Sequence, residues 1–596
     1  MCGESPGQEE DSVRMVLQPI VVTSTRIPTN DLFVSRSIDV IDEQTIQNSG
    51  AWCVEDLLQN GANVDVQSRG VFGVQTDVSI RGALYSQYLL LLDGVRLNDS
   101  QTSHHNFDLP VSPDQIQRIE VLKGPGSSLY GPDAFGGVIN IITRVPAQTA
   151  CRLNLSGGEN GLVHAAGSYD YSSSGIHSSN TIEHRRSDGY HVDTDFQTTS
   201  ISSNNTMDFP FGTCSLFGGY AQKAFGAFNF YGPSPSKEWT TTTFCHAAAQ
   251  ILVHGLLLQP KISYRRHNDK FMYDVRTPGQ FVNIHTTNSS SGELHCIIPI
   301  DESSSLISGI AGTIDNIVST NLHTHERSSL GILLSLQCVF RQRFLVDVGM
   351  REDFHSQYGR QLNPAMSVGV LFAQSAKVFV TAGRSFRAPS YTELYYSNPA
   401  RIGNAGLKPE TGWSTELGTE WYGGAQIKFS ASCFERDQQN LIDYVKFTAS
   451  DAVAQAANFA TAVTRGLEAA LQWQRGDDAE PEIIRSVQVR YTYLDSRIDR
   501  GSVYSSVYSF NHPRHQLNVD GSGYLPFLLH WTTNLTHKIK MDGTAFSLVD
   551  AKVSRDLSVA TVFLQGTNLL NQSYEELTGV PLPGRWIWAG IEIKLL

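Results

Sequence analysis

From about residue 148 to its end the chain repeats one texture, segments of about ten residues in which apolar and polar side chains alternate. In SVQVRYTYLD (486–495), Val487, Val489, Tyr491 and Tyr493 fall on one face and Gln488, Arg490 and Thr492 on the other. In QIKFSASCFERD (426–437), Ile427, Phe429, Ala431 and Cys433 oppose Lys428, Ser430 and Ser432, and the final segment sets Ile587, Ala589, Ile591, Ile593 and Leu595 against Glu592 and Lys594. A period of two puts successive side chains on opposite faces of a strand, so each segment has one apolar and one polar face. Two environments accept such strands: a soluble sandwich or propeller with the apolar face inward, and a membrane barrel with that face toward lipid. Strands in soluble sheets average about five or six residues, whereas a tilted membrane strand needs about 9–11. Aromatic residues near strand ends (Trp421/Tyr422, Tyr491/Tyr493, Trp586/Trp588) fit interfacial girdles, and short turns alternate with polar connections such as HRRSDGYHVDTDFQTTSISSNN (184–205). Dividing 148–596 by about 20 residues per strand and connection gives on the order of 22 strands, a barrel wide enough to need filling.

The first 147 residues are different in kind. AWCVEDLLQN (51–60) carries apolar residues at helical spacing, and QYLLLLDGVRLND (87–99) sets two apolar runs around Asp93-Gly94, a hairpin signal because a type I′ turn wants φ > 0 at both central residues. RIEVLKGPGSSLYGPDAFGGVINIITR (118–144) reads as a strand, a glycine-rich connection and a second strand. Those glycines match neither GxxxxGK[ST] nor GxGxxG, and no helix pattern follows to offer amide donors to a phosphate, so tight turns are expected. This small α+β domain is the natural occupant of the lumen.

Composition narrows the classes further. The 596 residues carry a net charge of −13 with no basic block, which argues against a nucleic-acid partner. Mean hydropathy is −0.20, and no run approaches the ~18 apolar residues of a membrane helix. MCGESPGQEEDSVRM shows no basic n-region ahead of an apolar h-region, so no export signal is visible there. The eight cysteines lack CxxC spacing, and no Ser/His/Asp, paired-carboxylate or metal-ligand arrangement stands out as an enzyme's.

PIVVTSTRIP (19–28), VSIRGALYSQYLLLLDGVRLND (78–99) and the 118–144 stretch resemble the N-terminal plug of TonB-dependent outer-membrane receptors. GRSFRAPSYTELYY (383–396), GLKPETGWSTELGTEW (406–421), TRGLEAALQW (464–473) and GTNLLNQSY (566–574) resemble that family's barrel motifs in the family's order. In total length and plug size the chain is similar to the cobalamin-transporter-like subgroup. The resemblance implies an all-β outer-membrane protein: a loose segment 1–17, an energy-coupling segment 18–25, a plug 26–147 and a barrel 148–596. It implies a monomeric, non-enzymatic importer of a scarce ligand, a metal chelate such as a siderophore or a corrinoid, energised by a TonB-type periplasmic protein. A passive or adhesive barrel and a soluble all-β ligand-binding protein are the competing classes.

Site expectations follow from the same resemblance. Pro19, Ile20, Val21, Val22, Thr23 and Ser24 match the family's coupling box, which adds a strand to its partner through backbone hydrogen bonds. Arg81 and Lys123 fall where the family places plug cations, and Glu416 and Glu468 where it places barrel acids. Lys123 stands where arginine is common, a point charge in place of a bidentate fork. His104 and His105 lie in the connection after the hairpin, which the resemblance puts at the plug apex toward the ligand; a solvated loop is the plain alternative. No cofactor is required. Asp188, Asp193 and Asp195 offer hard oxygen ligands in one loop and raise calcium, against the plain reading of an acidic solvated loop.

Overall fold

The alternating segments form 22 long antiparallel strands, from Ala150–Gly158 to Trp586–Lys594, closed into a barrel. Closure pairs the first strand with the last, Leu153 opposite Ile593 and Gly158 opposite Trp588, so the barrel sheet has no free edge among the described residues. The computed structural model describes residues 20–372, 375–424, 426–476, 482–499, 501, 503–506 and 511–595; segment 1–17 and Pro19 lie outside the described residues. No helix among them is long and apolar enough to cross a membrane.

Strand parity sorts the side chains. In Glu410–Gly423, Trp413, Leu417 and Trp421 point outward and exposed, while Glu410, Glu416, Glu420 and Tyr422 are buried in the lumen. Along His323–Phe340, Leu330, Ile332, Leu334 and Leu336 form one outward apolar row. The girdle expectation therefore needs correcting. Trp421 and Tyr491 face outward, but Tyr422, Trp586 and Trp588 are 2%, 1% and 2% exposed and face the lumen. The reason is parity, since Trp586 and Trp588 share the face of Glu592 and Lys594. They pack on the plug, Trp52 lying 5.2 Å from Trp588 and Phe72 5.4 Å from Trp586 between ring centroids.

The two rims differ. One carries tight turns, as between Val282–Asp301 and Ser304–Ser319. The other carries long connections, including 388–409 with its helix Tyr391–Tyr395. Strands Ile427–Lys446 and Ala454–Gln474 run 20 and 21 residues, about twice a membrane crossing, and extend toward this second rim.

Inside sits the plug. Its sheet runs Ile38–Ile41, Ile116–Lys123, Gly137–Thr143, Tyr88–Leu92 and Val95–Arg96, with the third and fourth strands parallel. Helices Glu43–Ser49 and Val54–Gly61 cover it. Leu58, Val78, Leu90, Ile119, Val121 and Ile139 are fully buried in its core. Asp93 and Gly94 have φ of 52° and 73°, the type I′ signature expected of the hairpin. The glycine-rich connection holds one helical turn, Ser127–Tyr130, that the reading of turns alone did not foresee.

Leu334→Arg puts a charge on the outward face and is expected to destabilise the barrel by about 2–4 kcal/mol in bilayers. Ser335→Ala, one residue along and lumen-facing, is expected to cost under about 1 kcal/mol. Denaturant titration in lipid vesicles checks both, and an unchanged midpoint for Leu334→Arg contradicts the outward assignment.

Candidate functional site between plug and barrel

Arg81 is the centre of the interface. It follows strand Thr76–Ser79 with φ of 54°, and Gly82 after it has φ of 71°, so the corner turns the guanidinium out of the plug toward the wall. Its Nη2 donates to Glu416 Oε1 at 2.7 Å and to Ser432 Oγ at 3.0 Å, and both Nη2 and Nε donate to Glu468 Oε2 at 2.9 and 3.0 Å. The Phe434 ring lies 4.3 Å below it. These acceptors sit on three neighbouring strands, Ser432 directly opposite Glu468 in register, so parity aims all of them inward. Burial opposes the charge on Arg81, yet Glu416 and Glu468 outweigh it and hold the guanidinium more firmly protonated than a free arginine.

Lys123 joins the same group. Its ammonium lies 2.7 Å from Asp39 and 3.3 Å from Glu468. A point charge thus bridges a plug acid and a barrel acid where an arginine fork would have gripped one. Ser37 donates to Glu416 Oε1 at 2.5 Å. All four charges expected from the motifs therefore meet, and Asp39, Ser37 and Ser432 are additions that no motif marked.

Further pairs circle the plug. Asp31, fully buried, takes Lys428 at 2.6 Å and the Tyr422 hydroxyl at 2.8 Å, with Lys377 at 3.5 Å. Burial works to raise its pKa, but Lys377 and Lys428 overcome this and hold the carboxyl well below its usual range. Lys538 of the wall bridges plug Asp65 at 2.8 Å and loop Glu576 at 2.9 Å. Here the wall supplies the cation, and only the burial that the fold creates distinguishes these residues from solvated charges.

The segment that the sequence motif marks for coupling lies docked on the plug. Ile20–Val21 pairs antiparallel with Thr29–Asn30, and Val21, Thr23 and Ser24 are buried while Ile20 is exposed. The backbone N–H groups of Val22 and Thr23 both donate to the buried Glu120 carboxylate, at 2.9 and 2.7 Å. Tyr130 Oη donates to the Thr23 carbonyl at 2.9 Å, and Asn140 Nδ2 to Thr23 Oγ1 at 3.0 Å. Arg26 then reaches Glu293 of the wall at 3.3 Å.

Two expectations change. His104 and His105 do not face an open vestibule: they are 6% and 2% exposed in the turn Ser103–His105, pressed between plug and wall. His104 Nδ1 lies 2.7 Å from Asp77, its ring stacks 4.1 Å from Tyr85, and burial pushes its pKa down to about 4 although Asp77 resists. Asp188, Asp193 and Asp195 are not gathered within metal-ligand distance of one another, and Asp195 pairs with Lys237 at 2.9 Å. A cavity of about 450 Å³ between plug and wall lies elsewhere, lined by Trp52, Asp56 and Gln59 of the plug and Lys552, Gln565 and Trp588 of the wall.

The chain matches the family described as TonB dependent receptor-like, beta-barrel, over residues 93–572, and the one described as TonB-dependent Receptor Plug Domain over residues 31–138. The vitamin B12 transporter BtuB of Vibrio cholerae is 24% identical over 628 residues, covering 96% of this chain and 95% of its own. BtuB of Vibrio vulnificus is 24% identical over 453 residues, 71% of each chain. Among solved structures, the siderophore receptor PirA from Pseudomonas aeruginosa superposes with a TM-score of 0.73 at 17% identity, covering 94% of this chain and 99% of its own. The FrpB iron transporter from Neisseria meningitidis does so with a TM-score of 0.76 at 14% identity, covering 94% and 100%. At such identities the structural likeness concerns the fold.

Arg81→Ala leaves Glu416 and Glu468 buried without their main cation and is expected to destabilise the plug by about 3–5 kcal/mol. The volume-matched set Arg81→Met, Glu416→Gln and Glu468→Gln is expected to recover most of that loss. Urea unfolding in detergent followed at Trp52 checks both, and equal stability of Arg81→Ala and wild type contradicts the assignment.

Proposed function

The chain belongs to the TonB-dependent receptor family, and from that premise we propose that it imports a scarce corrinoid across the outer membrane, driven by a TonB-type partner that pulls on residues 18–25. Receptors of this family are transporters, and the closed barrel, filled lumen and mixed-sign ring of plug contacts suit a gate that stays shut until force is applied.

One observation carries the coupling reading. Glu120, which holds Val22 and Thr23, lies on strand Ile116–Lys123, and that strand ends at Lys123 in the charge cluster. Its neighbour Ile38–Ile41 carries Asp39, and Ser37 precedes it, the partners of Lys123 and Glu416. A pull on the segment therefore loads one short strand pair whose far end is the Arg81 cluster. Ile20 is exposed with one small strand as neighbour, so a partner strand has a place to begin adding.

The choice of cargo rests on the relatives. The Vibrio cholerae relative that matches 96% of this chain is named as a vitamin B12 transporter, which supports a corrinoid ahead of a ferric chelate.

Val22→Pro removes one amide donor to Glu120 and blocks strand addition. It is expected to abolish corrinoid-dependent growth while surface binding of labelled cobalamin persists. Unimpaired growth contradicts energy coupling through this segment, and absence of cobalamin binding by the wild-type receptor contradicts the corrinoid assignment.

A further inference from the structure

The segment Asp99–Ser112 crosses from the plug to the wall at strands Lys237–Val253 and Leu256–Met272, where it brings together a set of donors that the transport reading does not use. One ligand atom each of His105, Asp108 and His267 lies within 4.8 Å of the others, and all three residues are buried. His105 Nδ1 is 3.6 Å from Asp108 Oδ2, and the His105 and His267 rings are 4.7 Å apart. That separation is too long for a good hydrogen bond and close to the ~3.4 Å edge of a tetrahedron with metal–ligand bonds of about 2.0–2.1 Å.

The unsatisfied atoms point the same way. His267 Nδ1 lies 2.8 Å from Thr242 Oγ1, which leaves Nε2 as the free position, and that atom is buried with no hydrogen-bond partner. Asp108 gives Oδ1 to Lys223 at 2.8 Å, and its Oδ2 is likewise buried without a hydrogen bond. His267 is 0% and Asp108 5% exposed, so neither atom has water to repay its desolvation. On the far side of the His105 ring, Nε2 faces Glu238 Oε1 at 3.4 Å and Asp269 Oδ2 at 3.7 Å. Asp99 is paired with Arg265 and Asp108 with Lys223, and Asp269 Oδ2 also accepts from Gln101 Nε2 at 2.9 Å.

We propose that His105, Asp108 and His267 hold a divalent transition-metal ion of the zinc class, clipping the plug to the barrel wall on the side away from Arg81. Two imidazoles with one carboxylate select this class over calcium, which takes six to eight oxygens.

The test uses the full chain in detergent, stripped with a chelator and titrated with Co2+. The expected result is one equivalent bound with the intense visible bands of a tetrahedral or five-coordinate site, and displacement of those bands by one equivalent of Zn2+. His267→Ala is expected to lose the bands. Thr242→Val, which removes only the hydroxyl behind His267 and keeps the ligands, is expected to weaken binding about 10–100-fold. Heat-shifted migration on gels confirms that each variant barrel is folded. A wild-type spectrum no different from hydrated Co2+, or metal binding that survives His267→Ala, overturns the proposal.

Discussion

The structure depends on keeping a charged guanidinium in a place without water. Arg81 is stable there only because two glutamates from neighbouring barrel strands and a serine between them occupy its donors. The cluster adds little net stability, since desolvation consumes most of the Coulomb gain, but any break leaves a bare buried charge. Under the proposed import role, that asymmetry suits a plug that is immobile at rest and released as a unit. A plug held by apolar packing alone would shear gradually, whereas directional ion pairs give way over a short displacement.

The remaining contacts extend the same logic around the lumen. Asp31 with Lys428, Asp65 with Lys538, Asp99 with Arg265 and Asp108 with Lys223 place plug acids against wall bases, while Arg81 and Arg26 reverse the sign. Alternating polarity fixes the plug in one orientation, because rotation inside the barrel sets like charges together. The aromatic wall of Trp586 and Trp588 against Trp52 and Phe72 fills the side where the cavity opens.

Much of this was legible in the sequence, and what was missed has physical causes. Strict alternation identified the barrel because the polar and apolar faces of a strand cannot be exchanged without a register slip. Asp93-Gly94 identified the hairpin because few other residue pairs accept two positive φ values. Arg81, Lys123, Glu416 and Glu468 could be named because they lie in long motifs. Asp31, Lys428 and Lys538 could not, since a charge on a lumen face looks like a solvated one until the plug covers it. The girdle reading of Trp586 and Trp588 failed by ignoring a parity already visible against Glu592 and Lys594. Asp188, Asp193 and Asp195 are close along the chain but their carboxylates are not gathered around one point, while His105, read as a loop residue, found its neighbours His267 and Glu238 more than 100 positions away.

The central claim is that force applied at the coupling segment is resisted by the Arg81 cluster and transmitted through strand Ile116–Lys123. Single-molecule pulling from an N-terminal handle on the bilayer-embedded receptor measures this directly. The account predicts one dominant rupture in wild type, a clearly lower rupture force in Arg81→Ala, and, in Glu120→Ala, early extension of the segment before the plug yields. A rupture force unchanged by Arg81→Ala would contradict it.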